Sequence, residues 1–400
     1  MVVLFKHQFM LIFLAASAPF IALSLRGIVW GADSFAFLAV ACGQNSYASF
    51  LGSPSWFTSL LPFFNCNITL ISLVMFLFYF LALLGLWIFS KRFFVENSWL
   101  GVIKDSSWKY VFVVASITPL FFLEAMRFEN DFFGWTLSFM ALGLFTLALT
   151  HDKWHIKITS LFLACIIGFI AVLLWNASIL VLLACVFLLI KNQKQKILVF
   201  FGIITIFLIF FQGYVLSSFN ILFSVEKVVA EEIPFVGLIF ILHIVHFIKK
   251  VPKELFLYSI LLLGIGLLKS KYMFLTIPFL VLGLMRKENE EGLIIRGDKI
   301  PLLPICCLCL VGLVFMSPFL YPTQVDLKEM KEAIQLSNDL NVPLYNSWGE
   351  GWIFTYLGVE TNYKISYPDP DWNHLEPPYT AYSKTMDLNC EKINTYTYKC

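Results

Sequence analysis

The sequence predicts an all-α polytopic membrane protein, N-terminus inside and C-terminus outside, with a small C-terminal extracytoplasmic α/β domain. Three observations lead there. Apolar runs bounded by charge recur through residues 1–320. The Lys and Arg between those runs are dense in every second connection and sparse in the others. From Tyr321 onward the long apolar runs stop, and a polar, turn-rich tail of 80 residues, 321–400, takes over.

Composition supports the first observation. The chain is 59% hydrophobic and 17% aromatic, with 43 Phe and only 14% charged residues, which is too apolar for a soluble chain of this length. A net charge of +2, with the cations in short clusters rather than along one face, excludes a nucleic-acid partner.

The apolar runs cover 8–25, 68–89, 110–123, 132–150, 158–174, 177–190, 197–211, 235–248, 255–268, 272–285 and 300–320. That is about 11 transmembrane helices, several drawn shorter than the roughly 20 residues a bilayer requires. The N-terminus has a basic residue, an apolar core and small residues, as a signal peptide does. The run continues to Leu25, however, and so reads as an uncleaved first span.

Loop charge sets the orientation. Seventeen Lys and Arg, from Lys6 to Lys299, fall in the inner connections, against five in the outer ones: Arg26, Arg127, Lys227, Lys269 and Lys271. An odd number of spans then places residues 321–400 outside the cell membrane.

The first outer loop, 26–67, is long and half apolar, which predicts short amphipathic helices along the membrane surface. Within it Asp33, in RGIVWGADSFAF, is the first carboxylate of the chain, and the next is Glu96. Ionisable groups near a bilayer are costly, so Asp33 is a candidate catalytic group. The loop closes on NCNIT, where Asn67 heads a glycosylation sequon; Asn176 in WNAS heads a second, in a tight turn near the bilayer.

The third and fourth spans are joined by FLEAMRFENDFFGW, where Glu124, Arg127, Glu129 and Asp131 crowd the outer surface. Two readings are open: a solvated loop with a local ion pair, or three carboxylates gathered for chemistry. The connection 212–234 carries Glu226, Glu231 and Glu232 among aromatics and reads as a flap. His243 and His246 are one helical turn apart, a metal-ligand spacing, but no third ligand is nearby. Lys269 and Lys271 put two cations in one short outer turn, which suits a phosphate there.

Cysteines divide by topology. Cys165, Cys185, Cys306, Cys307 and Cys309 fall in apolar spans and read as small buried hydrophobes. Cys42, Cys66, Cys390 and Cys400 face a disulfide-permissive compartment, and pairing 42 with 66 and 390 with 400 is one available arrangement. In the tail, residues 326–340 read as an amphipathic helix, VPLY and TNYKIS as strands, and YPDPDWNHLEPP as turns.

The order of these features resembles the GT-C superfamily of membrane glycosyltransferases, which includes protein mannosyltransferases, lipid A aminoarabinose transferases and oligosaccharyltransferase catalytic subunits. Asp33 in GADSFAF stands where that superfamily has its first-loop acid, and Glu129 and Asp131 in RFEND where it has its second acidic motif. Lys271 in KYMFLTIP is similar to the basic-aromatic pair with which members meet the carrier phosphate. SWGEGW, Trp348 to Trp352, is similar at a distance to the Trp-Trp-Asp-Tyr-Gly motif of oligosaccharyltransferases, with Glu350 in place of Asp and neither the Trp pair nor the Tyr present.

The resemblance implies transfer of a sugar from a polyprenyl-phosphate donor to a glycan, lipid or protein acceptor at the outer membrane face. Asp33 would be the general base and Lys269 and Lys271 the phosphate clamp. Arg127, Glu129, Asp131, Trp348 and Glu350 would bind substrate. Asp33, Glu129 and Asp131 could also hold an optional divalent cation, Mg or Mn. Other classes stay open: a transporter, a scaffold without turnover, or a polysaccharide polymerase or ligase. The spans hold neither a repeat nor a mid-bilayer acid to favour transport.

Overall fold

The computed structural model describes residues 10, 12–21, 32–43, 51, 53–95, 110, 111, 114, 115, 124–184, 188–190, 253–268, 270–282, 322–346, 351–361, 376–384 and 388–400. Several expectations lie outside them: the spans 197–211, 235–248 and 300–320, the flap 212–234, and residues Arg26, His243, His246, Lys269, Trp348 and Glu350.

The described chain is mostly helical with a small sheet. In order it forms α1 (Ile12–Ile21), α2 (Ala32–Ala41), α3 (Ser55–Thr58), a 3-10 turn (Leu61–Phe64), α4 (Ile68–Val95), α5 (Asn130–Thr150), α6 (Trp154–Leu174) and α7 (Ser178–Ala184). Then come α8 (Lys253–Leu268), a 3-10 helix (Ser270–Thr276), α9 (Gln324–Leu340), β1 (Leu344–Asn346), α10 (Gly351–Thr361), β2 (Thr380–Tyr382), β3 (Glu391–Lys392) and β4 (Thr397–Lys399). Three helices, α4 over Ile68–Lys91, α5 and α6, are long and apolar enough to cross a membrane. Helix α1 is shorter, and the run expected over 272–285 opens as a 3-10 helix rather than an α-helix.

The chain divides into two compact units. One comprises residues 1–20, 75–125 and 131–316, the other residues 21–74, 126–130 and 317–400.

In the first unit α4 and α5 meet at glycines. A Cβ on Gly85 would lie 2.2 Å from the Phe139 carbonyl oxygen, and one on Gly143 would lie 2.4 Å from the Gly85 Cα. The backbones therefore touch, which is how apolar helices gain dispersion contact where burial from lipid contributes little. Aromatic rings fill the space around this contact. Trp135 is edge-on to Tyr79 at 6.0 Å and to Phe274 at 5.6 Å, and Phe274 stacks on Trp175 at 6.0 Å. Two tyrosine hydroxyls close on backbone carbonyls: Tyr110 donates to Pro278 at 2.8 Å, and Tyr258 donates to Leu180.

Cys165 departs from the expectation of a buried thiol. It is exposed on α6, on the apolar face that also shows Phe162 and Phe169. An apolar face of that kind on a membrane-length helix is a surface for lipid tails.

In the second unit a mixed sheet runs in the order β1-β2-β4-β3, with β1 and β2 parallel and the other pairs antiparallel. Helix α9 packs on it and matches the amphipathic helix expected at 326–340 with one further half-turn at its start. Its N-terminus is a capping box: the Asp326 N–H donates to the Thr323 hydroxyl at 3.2 Å, while the Thr323 N–H donates to the Asp326 carboxylate at 2.7 Å. Lys384, beside β2, reaches the same carboxylate at 2.5 Å and lies 5.0 Å over the Tyr396 ring. The tail closes with the Cys390–Cys400 disulfide. The strand expected in TNYKIS is absent at Thr361, which ends α10; the rest of that stretch is outside the described residues.

Two predictions follow from this packing. Gly143→Ala pushes a methyl into backbone and should cost about 1–3 kcal/mol, as overpacking does. Gly168→Ala should cost much less, because its Cβ would meet the flexible end of Leu182 at 3.3 Å and lie at ordinary contact distance, 3.7 Å, from the Ala141 Cβ. Thermal unfolding of the two variants in the same detergent reads the difference.

The second concerns pH. Burial alone would raise the Asp326 pKa. The hydrogen bonds from Lys384 and Thr323, with the Lys384 charge, outweigh burial and hold the carboxyl below its ordinary 3.8. The folded pKa is thus below the unfolded one, so this carboxylate stabilises the fold fully above that ordinary value. Its contribution is lost as pH falls through the lower, folded value. A melting-temperature profile against pH should therefore lose part of its acid-side slope in Asp326→Asn.

Candidate functional site

The site begins with Ser34, the residue after Asp33 on α2. Its side chain is fully buried. The Ser34 hydroxyl accepts a hydrogen bond from the Phe128 N–H at 3.1 Å and donates one to the Glu129 carboxylate at 3.2 Å. One hydroxyl thus joins the stretch that carries the first-loop acid to the segment that carries the second acidic motif. Glu129 is itself buried, and a carboxylate there requires such donors, since an unmet buried charge is costly.

Aromatic packing holds the same two segments together. Phe128 meets Phe37 of α2 at 6.5 Å and Phe64 at 5.6 Å, and Phe37 meets Phe57 at 6.3 Å. The end of α2 is tied by the Cys42–Cys66 disulfide, with Cα atoms 4.4 Å apart, and by the Cys66 N–H donating to the Ala41 carbonyl at 3.1 Å. Helix α10, which opens on the last Gly of SWGEG, also packs along α2, with Phe35 edge-on to Tyr356 at 5.6 Å.

This packing corrects the reading of α2 as an amphipathic surface helix. Every side chain from Ser34 to Ala41 is buried. The 126–130 segment, the 55–64 segment and α10 pack against it, so among the described side chains, Ser34 to Ala41, none is left for solvent or lipid.

The expected site residues divide as follows. Asp33 is the second residue of α2, with its side chain outside the described residues. Glu129 is buried against Ser34, and Arg127 is half-buried in the same segment. Asp131 is half-buried in the first turn of α5, where the helix N-terminus favours an anion. Glu124 is buried. Lys271 belongs to the 3-10 helix Ser270–Thr276 of the other unit, its side chain also outside the described residues. Three of the stretches singled out in sequence, GADSFAF, the RFE of RFEND and the GW that ends SWGEGW, therefore lie in one compact unit. Among the described residues no group of three His, Cys, Asp or Glu is arranged to hold a metal ion.

Sequence reasoning passed over Ser34. The available signal was a hydroxyl directly after the first carboxylate, inside an otherwise apolar stretch. Asn67 also has a use beyond its sequon: its side-chain oxygen accepts from the Leu70 N–H at 3.0 Å and caps α4.

No protein-family model matches the chain, and no curated protein matches it in sequence.

Ser34→Ala removes the donor to Glu129 and the acceptor for Phe128. It should destabilise the second unit by about 1–3 kcal/mol, the range for removing a hydrogen-bonding side chain from a buried polar group. Earlier proteolysis of the region around 126–130 on heating, compared with the parent chain, checks it.

Proposed function

We propose that this protein is a membrane glycosyltransferase that moves a sugar from a polyprenyl-phosphate donor to an acceptor at the outer membrane face. The observation that supports the reading best is the Ser34 bridge. Two acidic motifs 95 residues apart in sequence are joined through one buried hydroxyl. A site for acid-base chemistry needs its carboxylates held on one rigid frame, and the α2 segment with 126–130 is such a frame.

In this reading the acceptor hydroxyl oxygen attacks the anomeric carbon of the donor sugar. The bond from that carbon to the phosphate oxygen breaks, and the carrier phosphate leaves with the electron pair. Asp33, as general base, takes the proton from the acceptor hydroxyl. Glu129, already engaged by Ser34, acts as a positioning residue for α2, and Arg127 and Asp131 would meet the acceptor. The resemblance assigns the carrier phosphate to Lys269 and Lys271, whose charge would offset the negative charge developing on the leaving group. It adds Trp348 and Glu350 to acceptor binding, and a divalent cation would supply further charge neutralisation.

The test is mass spectrometry of glycolipids and surface glycans from a deletion strain complemented with variants. Deletion should remove one sugar from one class of glycan, and the parent gene should restore it. Asp33→Asn should fail to restore it, with transfer reduced about 10²–10⁴-fold, the range for loss of a general base, while the protein accumulates normally. Lys271→Ala should restore it only when donor supply is raised. An unchanged glycan profile on deletion would overturn the transferase reading and leave transport or scaffolding.

A further inference from the structure

The segment between α2 and α4 is apolar on two faces, and only one of them is covered. Phe57 and Leu61 are buried, the former against Phe37. On the other face Trp56 is 41% exposed, Leu60 47% and Phe63 78%. The same unit continues into the first turns of α4, where Leu70 and Leu73 are exposed too, the latter at 61%. Uncovered apolar side chains therefore run from a short helical segment into a helix long enough to cross a membrane.

What covers them is decided by charge and by distance. No Asp, Glu, Lys or Arg occurs between Asp33 and Lys91, so the surface has no charged rim of its own chain segment, such as a soluble protein partner would meet. Trp beside aliphatic residues is the composition that favours the boundary between headgroups and acyl chains. Phe63 stands five positions before Ile68, where α4 begins, which limits their separation to about 17 Å at full extension. The chain between is also fixed. Asn65 and Cys66 adopt left-handed backbone, φ 46° and 60°, Cys66 is bonded to Cys42, and Asn67 caps α4.

We propose that Trp56, Leu60 and Phe63 are an interfacial anchor that enters the lipid at the membrane surface where α4 begins. Because the buried side of the same segment packs on α2 and the disulfide ties their ends, the anchor also holds α2 at the depth of the lipid headgroups. The occupant is the bilayer itself. The inference needs only the membrane character of α4 and stands apart from the transferase reading.

A photoreactive benzoylphenylalanine placed at Phe63 of the full chain, in phosphatidylcholine and phosphatidylglycerol vesicles, tests it. Each variant is first checked for an intact Cys42–Cys66 bond by non-reducing peptide mapping. Trp56 serves as the second probe position if the Phe63 variant lacks that bond. The control probe replaces Ile393, an exposed apolar residue by the β3–β4 hairpin. Irradiation should give lipid adducts on the probe peptide of the Phe63 variant, with loss of those adducts at the Ile393 position. Cross-links from Phe63 to protein, whether a second copy or another partner, would overturn the proposal. So would a probe that gives no lipid adduct, or equal lipid labelling at both positions.

Discussion

A serine hydroxyl with no access to water must find both its partners inside the protein, and in this chain it finds them on one segment. Ser34 takes a proton bond from Phe128 and gives one to Glu129, so two consecutive residues of 126–130 are read by a single side chain of α2. The bond energies are modest, but leaving either group unmet in an apolar setting is costly. That asymmetry makes the pairing specific. Beside it, Phe37, Phe57, Phe64 and Phe128 pack ring against ring, and the disulfide at Cys42 and Cys66 closes the arrangement.

The two units are held by different physics. In the first, helices meet through glycine backbones and interlocked aromatic rings, because between apolar helices the gain comes from close contact. In the second, caps, ion pairs and covalent links do more of the holding. A capping box starts α9, Lys384 anchors it to the neighbourhood of β2, and two disulfides fasten the ends. A small domain with few strands has little core to bury, so cross-links that restrict the unfolded chain matter more there.

Membrane-length helices were legible because length and apolarity are properties of local sequence; α4, α5 and α6 begin and end close to the runs drawn for them. The tail helix was legible from its one-sided apolar pattern and its Thr-Asp start. The Cys42–Cys66 and Cys390–Cys400 pairs were one arrangement open to four thiols expected in an oxidising compartment, and the fold forms both. Local pattern failed where burial depends on distant segments. Helix α2 has no polar face to reveal how thoroughly it is covered, and Cys165 has no local mark that puts it on an exposed face.

The stretch RGIVWGADSFAF shows where the division falls. By itself the sequence determined that one acid stands in a long, half-apolar loop between hydrophobic runs, because hydropathy and charge can be read residue by residue. Only the tertiary structure decided that the next residue, Ser34, meets Glu129, and that α10 and the Phe cluster enclose the helix. Those contacts join segments far apart in sequence, Ser34 and Glu129 by 95 residues, and a hydrogen bond depends on where the folded backbone brings its donor and acceptor, which no local pattern encodes.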